Sequence, residues 1–195
     1  MPEPPFHLVQ NGGVYVLRIG LEDQTNRLTC ARVLALSELI AELAQKSQPL
    51  IITGNEKFFS AGAELAEVAA LNGSAAYQFS KMGQALMLAI EHYPAPVFAA
   101  ISGYCLGGGL DLALACHFRI AAPNAVFGHR GAALGLITGW GGTQRLPRLI
   151  GRGAALAMFV AAEKVEARRA FQMNLVDAIS ADPVAESLRR ILAKP

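Results

Sequence analysis

Two segments of the sequence join an apolar stretch to small residues and then to a helix-like stretch. The first is Phe58–Leu65 (FFSAGAEL), and the second is Gly103–Asp111 (GYCLGGGLD). Glycine lets a backbone approach a ligand closely, and the free N–H groups at a helix start attract negative charge. Two such amides that converge on one oxygen would form an oxyanion hole. Taken singly, each glycine could equally serve tight strand–helix packing.

Other sites with recognisable spacing do not occur in the sequence. There is no G-x-x-x-x-G-K-[ST] phosphate loop, no G-x-G-x-x-G pattern, and no G-x-S-x-G around Ser60 or Ser102. Metal-ligand spacing is missing among the histidines and cysteines, so no metal is expected. We expect the three cysteines to be reduced thiols in the core. The four histidines are His7, His92, His117 and His129, and the three cysteines are Cys30, Cys105 and Cys116.

The composition indicates one folded domain that binds neither nucleic acid nor membrane. The 195 residues are 53% hydrophobic and 16% charged, with a formal net charge of +2, which excludes disorder and a strongly basic binding face. The stretch from His92 to Leu110 lacks charged residues, yet Pro94, Pro96 and three successive glycines interrupt it. Such interruptions break a spanning helix. With no signal-peptide pattern at the start, we expect a cytoplasmic protein.

Strand and helix patterns alternate along the chain, which predicts an α/β fold with mostly parallel strands. Thr29 is expected to cap the first helix, in which Val33, Leu36 and Ile40 follow helical spacing. The predicted strands are Val14–Ile19, Leu50–Gly54, Val97–Ile101 and Phe118–Ala121. After the first helix, the predicted helices are Ala75–His92, Leu110–Cys116, Thr143–Leu149, Ala154–Ala162, Ala167–Met173 and Val184–Ala193.

Four segments in this order are similar to the crotonase superfamily, also called the enoyl-CoA hydratase/isomerase family. The likeness runs from about Val14 to Ile179 and is specific for the superfamily rather than for one reaction. The matching segments are Phe58–Glu67 (FFSAGAELAE), Pro94–Arg119 (PAPVFAAISGYCLGGGLDLALACHFR), Phe127–Gly151 (FGHRGAALGLITGWGGTQRLPRLIG) and Ala167–Ile179 (ARRAFQMNLVDAI).

This resemblance implies a ββα-spiral fold with mostly parallel sheets and flanking helices, and an acyl-CoA thioester as substrate. By motif position, the two amides that polarise the thioester carbonyl belong to Ala63 and Gly108. The same likeness implies a substrate and CoA site that includes Ala61, Glu64, Leu65, Gly107, Gly131 and Trp140. Arg27 or Lys57 could contact the CoA phosphates. No cofactor is implied beyond the CoA of the substrate.

The acid/base positions depart from the pattern of the family's hydratases, which use two glutamates. The place of the first holds Asp111, whose carboxylate is one methylene shorter, and the place of the second holds Gly131, which has no side chain. Asp111 could act alone as a base, or could instead favour the helix N-terminus. His129, two residues from the vacant position, could supply the missing proton or could be merely hydrogen-bonded.

Three further interpretations stay open from the sequence. The space at Gly131 could admit water, bicarbonate or a substrate carboxylate, which would suit decarboxylation or ring closure. Trp140 could line the acyl pocket or fill the core. Glu64 and Glu67 open a helix and could simply favour its positive end.

The expected activity is therefore hydration or double-bond isomerisation of an acyl-CoA through a thioester enolate. A decarboxylase of the same superfamily and a catalytically silent acyl-CoA-binding homologue are the alternatives. We expect a crotonase-like core at residues 1–179 and a short C-terminal helix at residues 180–195, with the usual helical extension largely missing. A homo-oligomer, either a trimer or a hexamer, is expected, although the missing helices weaken that expectation.

Overall fold

The computed structural model describes residues 6–20 and 25–193. Its strands are β1 (Phe6–Asn11), β2 (Val14–Ile19), β3 (Arg27–Leu28), β4 (Leu50–Thr53), β5 (Phe58–Ser60), β6 (Gly62–Ala63), β7 (Val97–Ile101), β8 (Tyr104–Leu106), β9 (Phe118–Ala121), β10 (Val126–Gly128), β11 (Val165–Glu166) and β12 (Ala178–Ile179). The helices are α1 (Cys30–Ala44), α2 (Leu65–Ala69), α3 (Gly73–Glu91), α4 (Gly108–Ala115), α5 (Gly142–Ile150), α6 (Arg152–Val160), α7 (Ala167–Gln172) and α8 (Pro183–Leu192), with a 3-10 turn at Gly131–Leu134.

A large sheet with the strand order β1-β2-β4-β7-β9-β12 forms the framework of the protein. Its pairings are parallel except for β1 with β2, which are antiparallel. The central strands are buried on both faces: Val97 and Ala99 face the main core, while Phe98 and Ala100 contact a second apolar cluster that includes Ile191 of α8. Burial on both faces explains why these strands are continuous apolar runs rather than alternating ones.

A smaller sheet, in the order β11-β10-β8-β5, holds the segments that carry the glycine-rich loops. Strands β5 and β8 are parallel, as are β8 and β10. Because these strands have only three residues each, their sequences show no alternation that would reveal them. The segments Phe58–Ala63 and Gly103–Gly109 have a composition typical of loops, yet each contains strand structure.

The predicted α/β class with mostly parallel strands is confirmed, as is the Thr29 cap, whose side chain accepts a hydrogen bond from the Arg32 amide. The expectation that Val14–Ile19 is the first strand is wrong, because β1 precedes it and pairs with it in a hairpin. The two-residue turn is Gly12-Gly13, and both glycines have the positive φ that such a hairpin turn requires. Helix α4 begins two residues before the predicted start.

Within the described part of the chain, none of the helices is both long and apolar enough to cross a membrane. The predicted C-terminal helix is present as α8, which covers the large sheet. The predicted domain boundaries at residues 1–179 and 180–195 include residues 1–5, 21–24 and 194–195, which lie outside the described residues.

The three thiols are expected to differ from free cysteine in reactivity. Burial raises the pKa of Cys105 and raises that of Cys116 to about 12, and it also raises the pKa of the half-buried Cys30. Because the thiolate is the reactive form, a disulfide reagent at pH 8 should leave Cys105 and Cys116 unmodified in the native protein. All three should react in denaturant. The Cys30→Ser variant is the control and should show almost no native reaction; rapid modification of two or more native thiols would contradict the prediction.

Candidate active site

Three loops leave the same edge of the smaller sheet. Parallel pairing aligns β5, β8 and β10 so that Ser60 lies opposite Cys105 and Leu106 lies opposite Gly128. The residues that follow these strands must then meet at their carboxyl ends, which is where ligands bind in parallel sheets. The loops supply Ala61–Ala63, Gly107–Gly108 and His129. The sheet thus unites segments that are far apart in sequence.

The two amides predicted to form an oxyanion hole lie next to each other. A Cβ placed on Gly108 would stand 3.4 Å from the amide nitrogen of Ala63, and one placed on Gly62 would stand 2.8 Å from the amide nitrogen of Gly108. Gly62 has φ +89° and Gly107 has φ +53°, which side chains disfavour. Gly108 is the first residue of α4, so its N–H has no partner within the helix. Bare backbone therefore brings both donors to one small volume.

Ser60 fixes the first of these loops from behind. Its side chain is fully buried, and its hydroxyl donates to the carbonyl of Asn26 at 2.7 Å while it accepts from the amide of Gly62 at 3.1 Å. The amide of Gly62 is thereby satisfied, and the following amide, that of Ala63, lies beside the cavity. Gly109 leaves room for this arrangement, since a Cβ there would stand 2.6 Å from the Ser60 carbonyl oxygen.

Asp111 is a carboxylate with two unlike oxygens. It lies in the first turn of α4, where the helix dipole favours negative charge, and it is only 1% exposed. Its Oδ2 accepts a hydrogen bond from the hydroxyl of Thr138. Its Oδ1 has no hydrogen-bond partner among the described residues. The carboxylate is therefore held by a distant loop through Oδ2, while Oδ1 is buried without a hydrogen bond.

His129 faces that open oxygen. Its Nε2 lies 3.3 Å from Oδ1 of Asp111, and neither atom meets hydrogen-bond geometry with any described residue. The imidazole is 4% exposed and packs against Phe159, with ring centroids 5.1 Å apart. The interpretation of His129 as a merely hydrogen-bonded loop residue finds no partner for Nε2 in the part of the chain that is described. An unpaired buried polar atom is costly, and it calls for an explanation such as a catalytic role or an ordered water.

Gly131 does not leave open space in the direction of a side chain. A Cβ there would stand 2.7 Å from the carbonyl oxygen of Leu136, and the amide of Leu136 donates to the carbonyl of Gly131 at 2.8 Å. The 3-10 turn closes on itself at this point. The expectation of a vacancy for water, bicarbonate or a substrate carboxylate is therefore not supported by the local packing, although the backbone of Gly131 does line the cavity.

A cavity of about 480 Å³ lies in front of the amide pair and Asp111. Most predicted site residues line it: Ala61, Ala63, Leu65, Gly107, Gly108, Asp111, His129, Gly131 and Trp140. Its other walls are mainly apolar and include Leu71, Phe79 and Ile137.

Trp140 combines both of the roles that the sequence left open. It is 2% exposed, its Nε1 donates to the carbonyl of Phe79, and its ring lies against Gly108, where a Cβ would stand 2.5 Å from Cζ3. The indole is therefore a core side chain that also supports the amide pair from the side.

The four charged residues that the sequence suggested for the substrate site or its helix do not all lie at the cavity. Glu64 caps α2 and forms an ion pair with Arg27 at 2.8 Å, so the cation beside the cavity is already partly neutralised. Glu67 accepts a hydrogen bond from the amide of Cys30 at the start of α1. Lys57 comes just before β5, at the end of the smaller sheet away from the cavity. Its backbone carbonyl accepts a hydrogen bond from the amide of Tyr104 there. No cluster of metal-ligating side chains occurs among residues 6–20 and 25–193.

The sequence missed two residues that hold the site together. Ser60 and Thr138 are ordinary hydroxyl residues in segments without helical or strand periodicity, and Thr138 contacts a residue 27 positions away. Only the fold brings such partners together.

Comparisons with known proteins give one consistent result. Residues 10–194 match the family model described as enoyl-CoA hydratase/isomerase. A crotonyl-CoA hydratase of Syntrophomonas wolfei is 46% identical over 67% of this chain and 50% of its own length. A short-chain-enoyl-CoA hydratase of Clostridium acetobutylicum is 35% identical over 88% of this chain and 67% of its own.

Solved structures agree with these sequence relatives. An enoyl-CoA hydratase of Bacillus anthracis superimposes with a TM-score of 0.89 at 34% identity, covering 97% of this chain and 75% of that one. The mixed α/β fold with mostly parallel sheets is thus that of the crotonases. The chain spans about half the length of two of the curated relatives that it matches.

The turn at Gly131 yields a stability prediction. Gly131→Ala should lower the free energy of unfolding by about 1–3 kcal/mol, because its methyl group must displace the carbonyl of Leu136. Gly153→Ala is the matched control: it lies in α6 with nothing within 4 Å, and it should leave stability unchanged or raise it by up to about 1 kcal/mol. Chemical denaturation measures both, and a Gly131→Ala protein as stable as the wild type would contradict the packing argument.

Proposed function

Because the chain belongs to the enoyl-CoA hydratase/isomerase family, we propose that it hydrates an enoyl-CoA thioester in the cavity beside Asp111. One observation carries the proposal: a buried carboxylate, one oxygen of which has no hydrogen bond and faces an imidazole, lines the same cavity as two adjacent backbone amides. The hydratase activity in the names of the relatives supports the same reaction. The acyl chain would occupy the apolar part of the cavity, and the reaction needs no cofactor beyond the CoA of the substrate.

The amides of Ala63 and Gly108 would bind the thioester oxygen. As water adds to the double bond, negative charge develops on this oxygen, and donors fixed in advance stabilise that charge without reorganising. Removal of one such donor costs about 10²–10³ in kcat in other enzymes. Ala61, Leu65 and Gly107 would contact the pantetheine side of the substrate, and Arg27 is placed to approach a phosphate if Glu64 releases it.

Asp111 and His129 would together move the two protons of hydration. Asp111 takes a proton from water as the hydroxide oxygen bonds to C3 of the enoyl group, and the electron pair of the double bond moves onto the thioester. Protonated His129 then gives its proton to C2, which completes the 3-hydroxyacyl product. Transfer of the proton from Asp111 to His129 across the 3.3 Å contact restores the starting state.

Double-bond isomerisation is the second candidate, and the presence of a single carboxylate favours it. Asp111 could take a proton from C2 of a 3-enoyl thioester and return it to C4, with the charge held on the thioester oxygen in between. This reaction needs one base and no water. A decarboxylase and a silent binding protein are kept as outcomes of the experiments.

Asp111→Asn should lower kcat for hydration of crotonyl-CoA by about 10²–10⁴-fold, because the amide cannot take a proton. The KM should change little, since the oxyanion hole and cavity are unaltered. The assay follows loss of the conjugated enoyl thioester absorbance, and thioester binding is measured separately by calorimetry.

The other outcomes each overturn part of the proposal. Wild-type protein that binds crotonyl-CoA and 3-butenoyl-CoA but converts neither would be a silent homologue. Release of CO₂ from a malonyl-type thioester without hydration would indicate a decarboxylase. Full activity in Asp111→Asn would remove Asp111 from the mechanism.

His129→Asn separates hydration from isomerisation. Hydration requires a second proton-transfer group, so its kcat should fall by about 10²-fold, whereas isomerisation of 3-butenoyl-CoA should stay within a few-fold. His92→Asn is the control, since this exposed histidine bonds only its own helix at Leu88 among the contacts described. Equal losses in both reactions would contradict the division of roles.

Homo-oligomerisation and a cytoplasmic location stay predictions. Trimer and hexamer are both kept open, and light scattering on the purified protein measures the first of these properties.

A further inference from the structure

The carboxylate of Asp111 has two oxygens that could exchange places by a half-turn about the bond to Cβ. Oδ2 accepts the hydroxyl hydrogen of Thr138, and Oδ1 faces Nε2 of His129. A hydroxyl has a single hydrogen to donate, so Thr138 commits it to this carboxylate. The bond fixes which oxygen is engaged by Thr138 and which one faces His129.

Thr138 lies on an irregular segment between the 3-10 turn and α5, and neighbouring contacts anchor it there. Gln84 of α3 donates to the carbonyl of Gly139 at 2.7 Å, and the next residue, Trp140, is buried. The methyl group of Thr138 lies near Gly142, where a Cβ would stand 3.0 Å from it. These contacts hold the hydroxyl at one place although no regular element includes it.

We propose that Thr138 is a positioning residue that fixes the rotation of the Asp111 carboxylate, so that one oxygen remains free for proton transfer beside His129. The expected effect on kcat rests on the proposed function, whereas the expected effect on the orientation of the Asp111 carboxylate does not. Thr138 itself touches no reacting atom in this scheme and acts through Asp111. Its loss should therefore reduce the rate of proton transfer and leave substrate binding nearly unchanged.

The matched variants are Thr138→Val and Thr138→Ser. Valine keeps the shape and the methyl group but removes the hydroxyl, and serine keeps the hydroxyl. Thr138→Val should lower kcat by about 10- to 100-fold, the usual value of a hydrogen bond to a charged group, with KM within about 2-fold. Thr138→Ser should retain kcat within about 3-fold. Thermal unfolding is measured for both, and Thr138→Ala replaces the valine variant if that protein does not fold.

A double-mutant cycle tests whether Thr138 works through Asp111. In the Asp111→Asn background, Thr138→Val should have almost no further effect on kcat, because residues that act as a unit are not additive. An equal loss in both backgrounds would overturn the proposal, as would unchanged kcat in Thr138→Val or equal losses in the valine and serine variants.

Crystal structures of the two variants provide a readout that does not depend on turnover. Oδ1 of Asp111 should turn away from His129, or adopt two orientations, in Thr138→Val and should keep its place in Thr138→Ser. An unchanged carboxylate in Thr138→Val would overturn the positioning role. If the wild-type protein converts no thioester while the carboxylate turns as expected, the proposed function fails and the role of Thr138 stands.

Discussion

The parallel pairing of three very short strands is the constraint on which the site depends. β8 pairs with β5 on one side and with β10 on the other, so three chain segments end side by side. This single register determines the relative positions of three groups: the amide of Ala63, the amide of Gly108 and the side chain of His129. A shift of one residue in any of the pairs would turn side chains to the opposite face and separate the donors. Residues such as Ser60 and Gly109, which permit close approach of the loops, serve the same register.

Asp111 is a buried carboxylate at the wall of the cavity. A carboxylate that is 1% exposed is stable only when donors or dipoles compensate for lost water. The first turn of α4 and the hydroxyl of Thr138 provide part of that compensation, and His129 faces the oxygen that lacks a partner. The protein thus leaves Oδ1 of Asp111 without a hydrogen bond at the wall of a mainly apolar cavity.

The sequence predicts the large elements well and the small ones poorly, for physical reasons. Helix α1 and strand β7 have enough residues to show a period or a continuous apolar run, and their positions agree with expectation. Strands of two or three residues, such as β6 and β8, owe their existence to partners elsewhere in the chain. The same holds for the site: motif resemblance locates Ala63, Gly108 and Asp111, while Ser60 and Thr138 are recognisable only once distant loops are in contact. Local signals cannot report on such long-range pairs.

The turn that closes on Gly131 also bears on how this site could change over time. The carbonyl of Leu136 lies where a side chain at position 131 would begin, so a carboxylate cannot be placed there without a new backbone path through residues 135–137. An acidic side chain at position 131 would need a second, compensating substitution, and the single substitution would carry the packing penalty by itself. A second carboxylate at position 131 therefore requires the backbone of residues 135–137 to change with it.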